Sequence, residues 1–235
     1  MILGGNQPYF IPYIGYWQLI NSVDVFKISD DYNYIKHGWI SKNRILVNGK
    51  PSDFRIELSK ASSNKLITDI ELGEISVKNK LKALMFAYGK APYYENGIEL
   101  MKEIFDCDDK NLADYLTNSI KVVCNYLDIN TKIIRTSDFE GNSNFKREYR
   151  IFDLCERIGA TEYHNAIGGQ ALYTYEQFRE HGIELGFIKT GDIKYKQFNN
   201  EFVPNLSILD VIMFNSKDEI KDMLNDYTVL KEDSK

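Results

Sequence analysis

Two rhythms of apolar positions alternate along the chain and divide it into strands and helices. Ile2 and Leu3, followed by Gly4 and Gly5, predict a short first strand over residues 1–5. Ile14–Asn21 predicts a helix with Ile14, Trp17, Leu19 and Ile20 inward, and residues 23–28 predict a second strand. Pro12 fits the first turn of that helix, where its missing N–H costs nothing. A strand, a helix and a strand in succession predict a parallel pair. Short strand-like runs at 44–47 and 54–58 flank Asn48-Gly49, a hairpin cue, with Pro51 implying a loop longer than two residues.

Further on, 66–72 alternates like a strand, and Val77–Tyr88 takes up helical spacing. Pro92 opens another helix carrying Ile98, Met101 and Phe105 on one face. Residues 109–127 repeat Leu112, Leu116, Ile120, Val123 and Leu127 at intervals of three and four, a broad apolar stripe. Lys132–Arg135 returns to the sheet, and 148–158 is a helix stopped by Gly159. Strand 161–166, helix 174–181 and strand 183–187 form a second strand, helix, strand unit. Ser207 caps a helix over Ile208–Phe214 and Ser216 one over 217–224, and 228–235 reads as a frayed tail. The expected architecture is α/β: one domain over residues 1–235, a mostly parallel, Rossmann-like sheet with helices on both faces, a β-hairpin appendage and a helical middle segment.

Composition narrows the function classes. With 235 residues, 43% apolar and 27% charged, the chain has the make-up of an ordinary globular protein. A net charge of -5 gives no electrostatic case for a nucleic-acid partner. Cys107, Cys124 and Cys155 are odd in number and lack a CxxC pair, which argues against a disulfide framework or a metal ribbon and fits a cytoplasmic location. No apolar run reaches the roughly 20 residues that span a bilayer. Nothing in the pattern sets an oligomeric state.

Candidate chemistry concentrates in the first forty-five residues. Gln7, Tyr9, Tyr13, Gly15 and Tyr16 follow the first strand, where ligands of parallel sheets bind, and a carbohydrate pocket is the expected use of such aromatics. Asp30 and Asp31 at the end of the second strand suit orienting a hydroxyl, taking a proton from an amine or holding a divalent cation. Lys36, Lys42 and Arg44 suit phosphate, and Trp39 beside Gly38 offers an aromatic face. His164 and Asn165, next to Gly168 and Gly169, read as the opposite wall, with His164 as a candidate base.

The runs Gln7-Pro8-Tyr9-Phe10, Tyr13-Ile14-Gly15-Tyr16, Asp30-Asp31, Gly38-Trp39-Ile40 and Asn43-Arg44-Ile45 resemble those of the WbqC-like family of bacterial proteins. The later Ile167-Gly168-Gly169, Tyr195-Lys196-Gln197-Phe198 and Phe202 to Asp210 runs resemble it too. His37 and Lys42 stand where the family pattern leads one to expect arginine. The resemblance implies a role in O-antigen and other surface-polysaccharide pathways: acyl or aminoacyl transfer to the amine of a nucleotide-linked aminodeoxysugar, with Asn43 grouped with the substrate-binding residues. A free-acid donor would imply ATP with magnesium. Pro12 to Tyr16 also looks like a degenerate form of the HxGH motif of nucleotidylyltransferases, with tyrosines for both histidines. That likeness supplies one alternative, a nucleotidyltransferase using ATP or CTP; a non-catalytic sugar-nucleotide-binding pathway protein is another, of a different class.

Overall fold

The computed structural model describes residues 1–232. In chain order, β1 (Ile2–Asn6), α1 (Ile14–Asn21) and β2 (Val25–Ile28) are followed by the hairpin β3 (Lys42–Val47) and β4 (Lys50–Arg55). The short strands β5 (Leu58–Ser59) and β6 (Glu71–Leu72) precede α2 (Val77–Tyr88), α3 (Tyr94–Phe105) and α4 (Leu112–Tyr126). Then come β7 (Lys132–Arg135), α5 (Tyr149–Ile158), β8 (Glu162–Ala166), α6 (Tyr175–Glu180), β9 (Glu184–Thr190), α7 (Ile208–Phe214), α8 (Lys217–Asn225) and β10 (Tyr227–Leu230).

One six-stranded sheet has the order β10-β9-β8-β1-β2-β7, parallel except for β10, which pairs antiparallel with β9. The chain lays β2 and β7 on one side of β1 and returns to lay β8 and β9 on the other. Strand order therefore reverses at β1, and ligands of such sheets bind beyond the carboxyl ends at that reversal. One apolar cluster joins α1, α7 and α8 to Phe26, Ile28 and Ile188 and runs on into α2, α3 and α4. A second cluster packs α5 and Phe178 of α6 against Leu3, Val25, Tyr163, Leu185 and Phe187. The two clusters draw on alternate residues of the strands, so helices cover both faces.

Caps stop and start the helices as their sequences dictate. Ser216 and Glu219 form a reciprocal capping box on α8, Ser207 accepts from the Leu209 N–H, and Gly159 ends α5 at φ 72°. All five residues of the 112–127 stripe are buried.

Four local expectations are overturned. Asn48 and Gly49 alone make the hairpin turn, both at positive φ, and Pro51 pairs with Leu46 inside the ladder. In a two-residue hairpin that pair is a non-hydrogen-bonded one, so Pro51 needs no N–H, and the outward Leu46 N–H donates to the Tyr88 hydroxyl at 2.8 Å. Residues 66–72 are a 3₁₀ turn at 67–69 followed by two-residue β6, because the Asp69 carboxylate ties back to the Leu66 N–H. Pro12 precedes the helix cap Tyr13 rather than lying in the first turn. Within 228–235, residues 228–230 belong to the edge strand β10, held by backbone pairing to β9, and residues 233–235 lie outside the described residues.

Candidate functional site

Three segments far apart in sequence are stitched together beyond the sheet. The Phe10 N–H donates to the carbonyls of Trp39 and Ile40 (3.3 and 3.1 Å), and the Asn43 side-chain amide donates to the Phe10 carbonyl. The Ser207 N–H donates to the Arg44 carbonyl at 2.9 Å, and its hydroxyl donates to the Ile11 carbonyl at 2.8 Å. The Pro12 carbonyl accepts from the Ile208 N–H and from the Trp17 indole. Ile11 is held at φ 38°, a conformation that a β-branched side chain rarely adopts, which these bonds on either side enforce.

The stitched segments enclose a cleft of about 320 Å³ lined by Tyr9, Pro12, Tyr13, Trp39, Asn43, Arg44 and Asn205. Trp39 is 39% exposed, unusual for the largest apolar side chain, and the Arg44 guanidinium carbon stands 5.3 Å from its ring centre. Lys42 Nζ lies 5.8 Å from the same ring and is also paired with Asp53 at 2.9 Å. Each such cation over an exposed ring contributes about 0.5–1 kcal/mol, enough to orient a side chain. Arg44 donates to the Asn205 carbonyl at 3.3 Å, while its buried Nε has no partner among the described residues. Burial raises the Tyr9 and Tyr13 hydroxyls above their usual pKa, with Tyr13 adding to the effect on Tyr9, so both remain O–H donors at neutral pH. The cleft thus presents hydroxyls, one incompletely satisfied guanidinium and an aromatic plane, the chemistry of a site for phosphate joined to a ring.

Asp30 and Asp31 lie in a different environment. Fully buried Asp30 accepts from Arg135 Nε (2.6 Å), Thr136 Oγ1 (3.1 Å), the Ser137 N–H (3.0 Å) and Ser137 Oγ (2.6 Å). Asp31 accepts from Arg150 at 2.5 Å and shares the single Thr136 O–H with Asp30, its oxygen 2.5 Å from the hydroxyl, and Arg135 also pairs with Asp114. Beside them Lys27, 4% exposed, donates to Ser29 Oγ at 2.8 Å. Burial and the neighbouring Arg150 push its ammonium down to about 8, against the pull of Asp31 and Asp30. A Cβ on Gly5 would come within 2.4 Å of the Lys27 stem, so the glycine makes room for the lysine. These carboxylates clamp the ends of β2, β7 and α5 together.

A scan against family models matches the WbqC-like protein family over residues 7–222. The chain belongs to the WbqC-like protein family. The match spans every run that carries the resemblance, from Gln7 to Asp210. A protein of Mycobacterium tuberculosis, uncharacterized protein Rv1507c, is 29% identical over 222 residues, covering 93% of this chain and 95% of that one. No solved structure matches.

Within this WbqC-like chain the remaining candidates scatter. Tyr16 is buried under the cleft, its hydroxyl donating to the Gln7 carbonyl at 3.0 Å. Gly15 admits the Tyr13 ring, which a Cβ would meet at 2.5 Å. Lys36 and His37 are exposed on the loop before Trp39. His164 shares its face of the sheet with Gly4 and Gly186, and its Nε2 is 2.6 Å from Glu162. Burial lowers its pKa despite Glu162. Asn165 points to the other face, bonded to the Tyr163 hydroxyl, and a Cβ on Gly169 would meet its amide at 2.9 Å. Neither His164, Asn165, Gly168 nor Gly169 lines the cleft. The conspicuous Asp210 is scaffold: buried, it accepts from Tyr88, Tyr195 and Gln197 and locks α7 in place.

Lys27, Arg135, Arg150 and Asn205 escaped the sequence reading. A lysine in the otherwise apolar run Val25–Ile28 is the signal that was available, since a charge there must be compensated. Asn205, at φ 56°, lies in the Phe202 to Asp210 run that carries the family resemblance, but nothing local in the sequence marks it as a lining residue.

Proposed function

We propose that this protein transfers an acyl or aminoacyl group to the amine of a nucleotide-linked aminodeoxysugar in surface-polysaccharide biosynthesis. The observation that carries the reading is the cleft of Trp39, Arg44, Tyr9 and Tyr13, in which an aromatic plane and an arginine with an unpartnered Nε share one cavity. In this reading Arg44 takes the phosphate in a planar, two-pronged contact, Trp39 stacks on the base or sugar, and the tyrosine hydroxyls donate to sugar oxygens. Lys36, exposed on the same loop, adds positive potential at the mouth, and His37 beside it is exposed too. Asp30 and Asp31 act indirectly, by fixing the strand ends from which this loop departs.

Thermal shift against nucleoside diphosphates, sugar nucleotides and ATP, with and without magnesium, tests the reading. A diphosphate at a hundredfold excess over its Kd stabilises by about 2.7 kcal/mol, or roughly 5 °C or more for a chain of this size. That shift should vanish in Arg44→Ala. A response confined to ATP with magnesium would favour a nucleotidyltransferase, and silence toward every nucleotide would sink both enzymes.

A further inference from the structure

A second cavity of about 380 Å³ adjoins the first and shares Asn205 with it. Its apolar lining comes from Ile14, Ile193, Phe202, Leu206 and Val211. One side is residues 192–195, which continue beyond β9 without regular secondary structure and join no sheet among the described residues. Their exposure alternates, with Ile193 and Tyr195 half-buried and Asp192 and Lys194 exposed, the two-residue rhythm of a strand. Yet among the described residues none of the backbone N–H or C=O groups of 192–195 has a hydrogen-bond partner. Such a strip is a template for a further extended chain. The two linings meet at Gly15: a Cβ there would stand 2.5 Å from the ring of Tyr13, which lines the first cavity, and 2.6 Å from the hydroxyl of Thr190, which lines the second.

We propose that this second cavity holds the acyl donor, a thioester on a linear arm that carries amide groups, laid along residues 192–195 with its acyl end at Asn205. Its amides pair with the open backbone strip, its methylenes cover the apolar lining, and its carbonyl arrives where the amino sugar of the first cavity ends. The inference rests on the acyl-transfer reading above. The sugar nitrogen attacks the thioester carbonyl carbon; the C–N bond forms as the C–S bond breaks. The departing thiolate takes the proton that the nitrogen gives up, leaving an amide and a thiol without need of ATP.

Saturation-transfer NMR with S-acetylpantetheine and acetyl-coenzyme A, in parallel with a nucleoside diphosphate, tests it on the full chain. Both thioesters should bind, and Ile193→Trp, which fills the cavity, should weaken them tenfold or more while the diphosphate still binds. Phe202→Ala, which only empties the lining, should weaken them about threefold and guards against misfolding of the tryptophan variant. Equal binding of the two probes would assign recognition to the arm alone, as on a carrier protein; tighter coenzyme A would assign a free coenzyme, and either supports the site. No thioester binding, or binding untouched by both variants, overturns it while leaving the diphosphate reading intact. Loss of diphosphate binding with thioester binding retained would sink the sugar-nucleotide reading instead.

Discussion

Two polar regions sit side by side at the carboxyl edge of the sheet, and they spend their charges differently. Around Asp30 every strong group is answered: four donors converge on one carboxylate, Arg135 and Arg150 each find an acid, and Lys27 has Ser29. Around Trp39 the account is open, with an exposed indole, an arginine whose Nε is unanswered, and two half-buried tyrosine hydroxyls. A saturated network resists change and offers a ligand nothing; an unsaturated one gains when a ligand completes it. Paired aspartates in sequence suggest catalysis; folding surrounds Asp30 and Asp31 with donors and leaves Arg44 Nε without a partner among the described residues, a difference visible only after folding.

The largest expected effect breaks the saturated side. Asp30→Ala leaves Arg135 with Asp114 as its acid partner and removes four acceptor contacts at a fully buried site, and should cost about 3–5 kcal/mol in urea unfolding. A loss below 1 kcal/mol would mean that the clamp is not what holds β2 to β7.

Next comes the pH response of Lys27. Its folded value of about 8 lies below the 10.5 of the free side chain, so between those values the unfolded chain binds more protons and stability rises with pH. Cys124 and Cys155, both pushed up to about 12 by burial, act oppositely above pH 9; Cys124 is common to wild type and variant, whereas Lys27 pulls the Cys155 thiol down and its removal takes that pull away. Stability curves of Lys27→Met and wild type should therefore move relative to one another in favour of wild type, by about 3 kcal/mol from pH 7 to pH 10.5. Parallel curves would show that Lys27 is not buried as charge.

On the open side, Trp39→Ala should weaken a nucleotide ligand by about 1–3 kcal/mol of stacking, read by calorimetry, while leaving stability nearly unchanged. The smallest expected effect belongs to His164→Phe, which should alter ligand affinity less than twofold; a tenfold loss would bring His164 back as part of the site.

Elements were legible where a local rule is strong. Ile14–Asn21, Val77–Tyr88, Lys132–Arg135 and Ile208–Phe214 coincide with their predicted bounds, because periodicity, a cap or a charged boundary fixes each one. β10 was not, since the edge strand is made by its pairing with β9 rather than by its own alternation. For the cleft, Tyr9, Tyr13, Trp39, Asn43 and Arg44 were readable from their density near one strand end, whereas Asn205 enters from 161 residues beyond Arg44. The partners of Asp30 and Asp31, more than 100 residues away, were invisible for the same reason.

The most direct test titrates wild-type protein with a nucleoside diphosphate while following tryptophan fluorescence. Trp17 is fully buried, so a saturable change reports Trp39. Such a change is expected, abolished in Arg44→Ala and retained in His164→Phe. A fluorescence signal that never saturates, or one that survives the loss of Arg44, would contradict it.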